Sequence, residues 1–148
     1  MKTYLGLALT LLLLACGGGD TGARPTLEKL RGQWVVINYW AQWCKPCARE
    51  IPELNALDRQ YSQVTVLGVN YDGASGKDLE QQVQKLGMEF HILEADPAEQ
   101  LGVSRPVVLP TTLILNPSGA VVTTLVGPQT LASLARATGQ ASSDPPQQ

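Results

Sequence analysis

Apolar residues recur along the chain in two rhythms, one typical of buried strands and the other of amphipathic helices. Trp34–Trp40 is an apolar run rich in β-branched and aromatic residues, and Val64–Asn70 is a second run of this kind. Such runs are typical of strands that are covered on both faces. Between them, Ile51, Leu54 and Leu57 recur at the spacing of one helix face, which predicts a helix joining the two strands.

The rest of the chain continues this alternation. Its predicted elements are a helix beginning at the capping box of residues 75–78, a short strand at 88–93, a helix from Asp96 to Gly102, strands at 111–116 and 120–126, and a final helix with Leu131 and Leu134 on one face. The predicted order is therefore β-α-β-α-β-α-β-β-α. We expect an α/β domain with a mixed central sheet and helices on both of its faces.

Length and charge narrow the classes of protein that fit this pattern. The chain has 148 residues, which is room for a single domain. Charged residues make up 16% of it and the formal net charge is −2, against a charged fraction of about 25% in typical proteins. Because lysine and arginine are scattered and form no basic stripe, we expect no nucleic-acid partner.

The N-terminal residues are predicted to be a targeting signal outside the fold. Lys2 precedes an apolar run over residues 5–14, which is shorter than the roughly 20 residues of a membrane span and typical of a secretory signal. The run ends in Leu14-Ala15-Cys16 followed by glycines, which resembles a bacterial lipoprotein processing site. We therefore predict lipidation of Cys16; an ordinary signal peptide with an incidental cysteine is the alternative.

Cys44 and Cys47 form a C-x-x-C pair where the first predicted strand gives way to a helix, a placement typical of a redox-active pair. The N-terminus of a helix carries partial positive charge and unpaired N–H groups, which stabilise a thiolate and lower its pKa. Lys45 adds a positive neighbour and Pro46 stiffens the first turn. We expect Cys44, at the helix tip, to attack a partner disulfide and Cys47, one turn in, to resolve the mixed disulfide.

Two other roles for this cysteine pair fit the sequence less well. A structural disulfide would more often join distant segments, because its constraint on the unfolded chain grows with loop length. A zinc site needs four ligands, and the chain offers only Cys16, expected to be acylated, and a single His91 besides the pair. We therefore predict no metal site.

The cysteine pair belongs to a longer pattern that resembles the thioredoxin superfamily and, within it, the bacterial reductases TlpA, ResA and CcmG. The resemblance covers residues 26–138 and is carried by WAQWCKPC at residues 40–47, Glu50-Ile51-Pro52, Leu109-Pro110-Thr111-Thr112, and an insertion at residues 72–93. It implies a thioredoxin-like fold with a TlpA-type insertion. The expected organisation is a lipoprotein signal peptide at 1–15, lipidated Cys16 and a flexible linker at 16–25, the thioredoxin-like domain at 26–139, and a disordered tail at 140–148.

The resemblance also implies a substrate-binding edge beside the cysteines. Pro110 is expected to follow a cis peptide bond, and the peptide edge of residues 108–110 is expected to bind substrate backbone. An X-Pro bond is cis only about 5–6% of the time, so this isomer is an implication of the family and not of the dipeptide. Trp43 is expected to dock substrate and shield the thiolate, with Pro46, Leu109 and Pro110 as further substrate-binding residues.

One position departs from plain thioredoxin. The family's buried aspartate, six residues before the first cysteine, is Asn38 here, and an amide cannot accept a proton. The reductase branch also lacks that aspartate and carries an acid three residues after the second cysteine, which is Glu50 in this chain. Glu50 is therefore a candidate for managing protons at the pair; the alternative is a first-turn carboxylate that complements the helix dipole.

Together these features predict a periplasm-facing, lipid-anchored thiol–disulfide oxidoreductase that reduces protein disulfides as a monomer. No cofactor is expected, since electrons travel as thiols. The resemblance implies a membrane electron donor of DsbD type, and cytochrome c maturation is one candidate pathway. A copper-handling protein is the alternative function, which would need a ligand such as Met88 or His91 beside the pair. A peroxidase is a second alternative, but its motif context is absent.

Overall fold

A five-stranded mixed sheet forms the centre of the computed structural model, which describes residues 26–140. In chain order its elements are β1 (Trp34–Trp40), α1 (Lys45–Gln60), β2 (Val64–Asn70), α2 (Gly76–Leu86), β3 (His91–Ile92), β4 (Thr111–Leu115), β5 (Val121–Val126) and α3 (Leu131–Ala137). The spatial order is β3-β2-β1-β4-β5. The pairs β1–β2 and β2–β3 are parallel, whereas β1–β4 and β4–β5 are antiparallel. The predicted mixed sheet is therefore confirmed.

The central strand β1 is apolar except for Asn38, because it is paired on both edges and covered on both faces. Val36 and Trp40 belong to the apolar cluster on one face of the sheet. Val35, Ile37 and Tyr39 belong to the cluster on the other face. Because both faces of β1 pack into apolar clusters, neither face is polar, and the one polar residue of the run, Asn38, is buried.

Helix α1 begins directly after β1 and carries the cysteine pair at its first turn. Cys44 is the N-cap residue, and Pro46 lies in the first turn, where its missing N–H would have no helical partner. Ile51, Leu54 and Leu57 are all buried, which confirms the helix face predicted from their spacing. The buried face holds α1 against the sheet, so the N-terminal end of the helix stays at the carboxyl end of β1.

The insertion over residues 72–93 is fastened to α1 by two side chains, Asn55 and Arg59, of which Arg59 forms an ion pair with Glu89. Asn55 Nδ2 donates to the carbonyl of Gly87 at 2.8 Å, and Asn55 Oδ1 accepts from Glu89 N at 3.0 Å. Gly87 ends α2 in a left-handed conformation, with φ of 67°, which suits glycine. At the other end, Ser75 is the N-cap of α2 but its side chain makes no capping bond, so the predicted capping box does not form.

The helix predicted from Asp96 to Gly102 is a single hydrogen-bonded turn. Asp96 does act as the predicted cap, since its Oδ1 accepts from Ala98 N at 2.9 Å. Gly102 then takes a left-handed φ of 66°, and Pro106 follows in a non-helical segment. Forming one helical turn fixes many dihedral angles and gains few hydrogen bonds, which is unfavourable. A helix that ends after one turn is therefore not stabilised by further turns.

This missing helix changes how the sheet is covered. Apolar side chains of α1, α2 and α3 pack against the first cluster. The second cluster is covered by residues from turn segments, including Leu27, Leu30, Leu101 and Val103. The predictions made for residues 1–25 and for the tail from residue 141 onward lie outside the described residues.

Candidate active site

The two cysteines are joined in a disulfide at the N-terminus of α1, with their Cα atoms 5.3 Å apart. Cys44 retains 4% exposure and Cys47 is fully buried. Cys44 Sγ also accepts a hydrogen bond from Cys47 N at 3.2 Å, so a backbone N–H of the first turn already points at this sulfur. A thiolate on Cys44 would accept the same bond with added charge assistance, which stabilises the thiolate.

Glu50 lies one helical turn after Cys47, on the same side of α1, and only 1% of it is exposed. Its Oε1 accepts from Asn38 Nδ2 at 2.6 Å, and its Oε2 accepts from Gln129 N at 2.9 Å. Burial raises the pKa of Glu50 from 4.5 to about 7, although both hydrogen bonds act to lower it. The carboxyl group can therefore take up or release a proton near neutral pH.

Asn38 ties this carboxyl group to the neighbouring strand β4. Its Nδ2 donates to Thr112 Oγ1 at 3.0 Å as well as to Glu50, and Asn38 and Thr112 are cross-strand partners. Both N–H groups of the amide are therefore in use. Asn38 Oδ1 is buried and has no hydrogen-bond partner within the described part of the chain.

The peptide bond between Leu109 and Pro110 is cis, as the family resemblance implies. The antiparallel pairing of β1 with β4 places Tyr39 opposite Thr111, so the segment before Thr111 lies at the edge of the sheet where β1 ends and α1 begins. Thr111 Oγ1 donates to the carbonyl of Val108 at 2.8 Å and holds the loop in place. The topology thus brings the cis-proline loop, residues 106–110, to the end of the sheet that carries the cysteines.

The predicted docking residues differ in their exposure. Trp43 is 66% exposed, and its indole Nε1 donates to Asp72 Oδ2 at 2.9 Å. Pro46 and Leu109 are half-buried, whereas Pro110 is buried. In the cis-proline loop, Val107 and Val108 are the exposed apolar side chains. The surface around the pair is therefore apolar on both its tryptophan side and its loop side.

The copper alternative required a histidine or methionine beside the pair. Met88 is buried in the first apolar cluster, and His91 lies in β3 at the edge of the sheet. Over residues 26–140, no three His, Cys, Asp or Glu side chains form a group that could hold a metal ion.

Several hydrogen-bond partners of Glu50, Trp43 and Asn38 are not predictable from the sequence. Gln129 acts on Glu50 through its backbone N–H, which every residue except proline possesses, so no side-chain signal marks it. Asp72 is the first residue of the insertion, and nothing near it in the chain indicates a bond to Trp43. Thr112 belongs to the cis-proline motif Leu109-Pro110-Thr111-Thr112, but its contact with Asn38 depends on strand register.

Comparison with known sequences places the chain among thiol–disulfide proteins. The sequence matches the AhpC/TSA family over residues 12–124. It is 32% identical over 117 residues to the thiol-disulfide oxidoreductase ResA of Geobacillus kaustophilus, covering 78% of this chain and 67% of that protein. It is 29% identical over 114 residues to the thioredoxin-like protein YneN of Bacillus subtilis, covering 74% and 66% respectively. The chain thus spans about two thirds of the length of these relatives.

Solved structures agree with this placement. A DsbF homologue from Corynebacterium diphtheriae superimposes with a TM-score of 0.66 at 26% identity, covering 78% of this chain and 76% of that one. A secreted thiol-disulfide isomerase from Corynebacterium glutamicum gives a TM-score of 0.65 at 25% identity, covering 76% and 72%. The chain therefore belongs to the AhpC/TSA family, and its fold is thioredoxin-like.

Proposed function

We propose that this protein is a thiol–disulfide oxidoreductase that reduces disulfide bonds in client proteins through Cys44 and Cys47. The observation that carries the proposal is the disulfide between these residues at the N-terminus of α1, at the same end of the sheet as a cis-proline loop. The names of the relatives, which include thiol-disulfide oxidoreductases, support the same reaction class.

The reduced pair would act by two successive exchanges. The Cys44 thiolate attacks one sulfur of a client disulfide, forming a mixed disulfide and releasing the other client sulfur as a thiolate, which takes up a proton. Cys47 then loses its proton and attacks Cys44 Sγ, which releases the second client thiolate. Two electrons pass to the client, and the protein is left with the Cys44–Cys47 disulfide. The greater shielding of Cys47 supports this division of roles.

Glu50 is the proposed proton acceptor for Cys47 during the second exchange. It lies one turn along α1 from Cys47, it is buried, and its pKa of about 7 matches a group that changes protonation at neutral pH. A carboxylate that only complemented the helix dipole would not need to be buried. Burial therefore favours proton management over the dipole role.

The proposed setting is the exported side of a bacterial membrane. Lipidation of Cys16 would hold the domain at the membrane surface, and no helix within residues 26–140 is long and apolar enough to cross a membrane. Exported compartments are kept oxidising, so a reductase there must be recharged. We infer a membrane electron donor of DsbD type, with protein disulfides, including those of apocytochromes c, as the substrates.

A trapping experiment tests the proposed reaction. In Cys47→Ser, Cys44 can attack a client but nothing resolves the intermediate, so mixed disulfides are expected to accumulate in cells and to disappear on reduction. Cys44→Ser is the matched control and is expected to form few or no mixed disulfides with client proteins. Equal capture by both variants, or capture by neither, would contradict the assignment of Cys44 as the attacking residue.

A further inference from the structure

Arg105 lies five residues before Pro110 and makes three contacts with one guanidinium group. Its Nε donates to Asp96 Oδ2 at 2.8 Å, and its Nη2 donates to the backbone carbonyl of Tyr71. The guanidinium also lies 3.9 Å from the centroid of the Tyr71 ring, which is a cation–π contact. A planar, forked guanidinium suits such bridging, whereas a lysine ammonium could not make all three contacts at once.

The carboxylate that holds Arg105 is itself anchored in the sheet. Tyr39, in the central strand, donates its hydroxyl to Asp96 Oδ1 at 2.7 Å, and Ala98 N donates to the same oxygen. Burial opposes charge on Asp96, but hydrogen bonds from Tyr39, Ala98 and Arg105 outweigh it and lower the pKa of Asp96. Arg105 is therefore fixed to a charged group that does not move independently of β1.

The other anchor of Arg105 adjoins the residue that holds Trp43. Tyr71 N donates to the carbonyl of Trp40 at 2.7 Å, which fixes the segment after β2 to the end of β1. The next residue, Asp72, accepts the indole N–H of Trp43. Two consecutive residues thus hold one side chain from each side of the active-site surface: Tyr71 holds Arg105 and Asp72 holds Trp43.

We propose that Arg105 is a positioning residue that sets the spacing between Trp43 and the cis-proline loop, and so the fit of a client polypeptide between them. This inference rests on the proposed function and extends it to client binding. A polypeptide must contact both sides of the surface to present its disulfide to Cys44, and a displacement of about 1 Å can cost up to about 10²-fold in rate. A small disulfide reaches Cys44 without spanning both sides, so it does not depend on that spacing.

The test compares a protein disulfide with a small one in the Arg105→Gln variant. Bovine insulin serves as the protein probe and the aromatic disulfide DTNB as the small probe, both with pre-reduced full-length protein. We expect kcat/KM for insulin to fall about tenfold, mainly through a higher KM, while the rate with DTNB stays within about twofold. Arg105→Lys keeps the positive charge but loses the forked guanidinium group. Its kcat/KM for insulin is expected to lie between those of the wild type and Arg105→Gln.

Arg59→Gln is the matched control, because Arg59 is also an exposed arginine in an ion pair, with Glu89, but on the far part of α1. It is expected to leave both rates unchanged. Equal losses with insulin and DTNB in Arg105→Gln and Arg105→Lys would overturn the proposal in favour of a general structural role, and unchanged insulin kinetics would overturn it outright. If wild-type protein itself failed to reduce insulin, the proposed function would fail, which is a separate result.

Discussion

At the scale of single residues, Asn38 stands where plain thioredoxin is expected to carry an aspartate, and it donates a hydrogen bond to the proposed proton acceptor, Glu50. An aspartate at this position would put a second carboxylate within hydrogen-bond distance of Glu50, where the nitrogen of Asn38 now lies 2.6 Å from Oε1. Two buried carboxylates that close cannot both ionise without a large cost. The amide instead donates to Glu50 and leaves it as the titrating partner in this pair.

Glu50→Gln is expected to remove a pH-dependent contribution to the free energy of unfolding. The folded state raises the pKa of Glu50 from 4.5 to about 7, so it binds the proton more tightly than the unfolded chain does. Stability from this group is therefore present below about pH 4.5 and is lost as the pH rises to about 7, by about 3 kcal/mol in all. Urea unfolding of the oxidised protein across this window measures the change.

In that experiment the free energy of unfolding of the wild type should fall relative to that of Glu50→Gln as the pH rises. The free energy of unfolding of Glu89→Gln, which removes an exposed carboxylate, should follow that of the wild type. Parallel curves for wild type and Glu50→Gln would contradict the raised pKa. In the reduced protein, the same Glu50→Gln change is expected to shift the pH profile of Cys44 alkylation and to slow disulfide exchange.

At the scale of elements, α1 combines opposite influences on the cysteine pair. Its N-terminal N–H groups stabilise a thiolate on Cys44, which by itself would favour the reduced form and make the pair oxidising. Glu50, one turn beyond Cys47, adds a negative charge when it ionises, which disfavours a thiolate nearby. We expect the balance between the helix end and this carboxylate to set the reduction potential of the pair.

We expect the reduction potential of the Cys44–Cys47 pair to be close to the value of about −270 mV typical of thioredoxin, and far from the value of about −120 mV of the oxidase DsbA. The reason is that the buried carboxylate offsets the thiolate stabilisation by the helix end. Equilibration in dithiothreitol redox buffers, followed by alkylation and mass measurement, gives the potential. A value near −120 mV would indicate an oxidase and contradict the reductase proposal.

The segment from Asp96 to Pro110 shows how one short element affects another. The turn after Asp96 does not continue as a helix: Val103 N donates to the carbonyl of Ala98 at its end, and the chain then runs on towards β4. Arg105 in that segment can then reach both Asp96 and Tyr71. A longer helix would have placed this side chain elsewhere relative to the loop after β2.

At the scale of the whole molecule, the proposed anchor would limit which disulfides the domain can reach. Lipidation of Cys16 would confine the protein to a membrane surface, close to a membrane electron donor. The expected linker from residue 17 to 25 is short, so clients would have to approach that surface. This proposal concerns residues outside the described structure and depends on the resemblance of residues 14–16 to a lipoprotein processing site.

Cys16→Ser is expected to move the protein from the membrane fraction to the soluble exported fraction of a bacterial host, because the acylated sulfur would be lost. Fractionation with immunodetection, together with the mass of the mature N-terminal peptide, measures the change. Cys44→Ser is the control that removes a cysteine without touching the anchor, and it should remain with the membrane. A wild-type protein found only in the soluble fraction would contradict the anchor.

The parts of the fold that depend on residues close together in the sequence were predictable. The apolar run of β1 and the helical spacing of Ile51, Leu54 and Leu57 gave the correct element types. The prediction of a helix at residues 96–102 was wrong, since a good cap at Asp96 cannot compensate for a stretch that ends after one turn at Gly102. A local capping signal indicates where a helix can begin, but the length of the helix depends on the residues that follow the cap.

The sequence by itself determined that a C-x-x-C pair would open a helix after a buried strand, since spacing and residue type along the chain suffice for that. Only the tertiary structure decided what surrounds the pair. Glu50 accepts a hydrogen bond from Gln129, which lies 79 positions away in the chain. Trp43 donates to Asp72, 29 positions away. Arg105 donates to Tyr71, 34 positions away. Such contacts arise from strand order, register and packing, which bring distant parts of the chain together, and no local pattern records them.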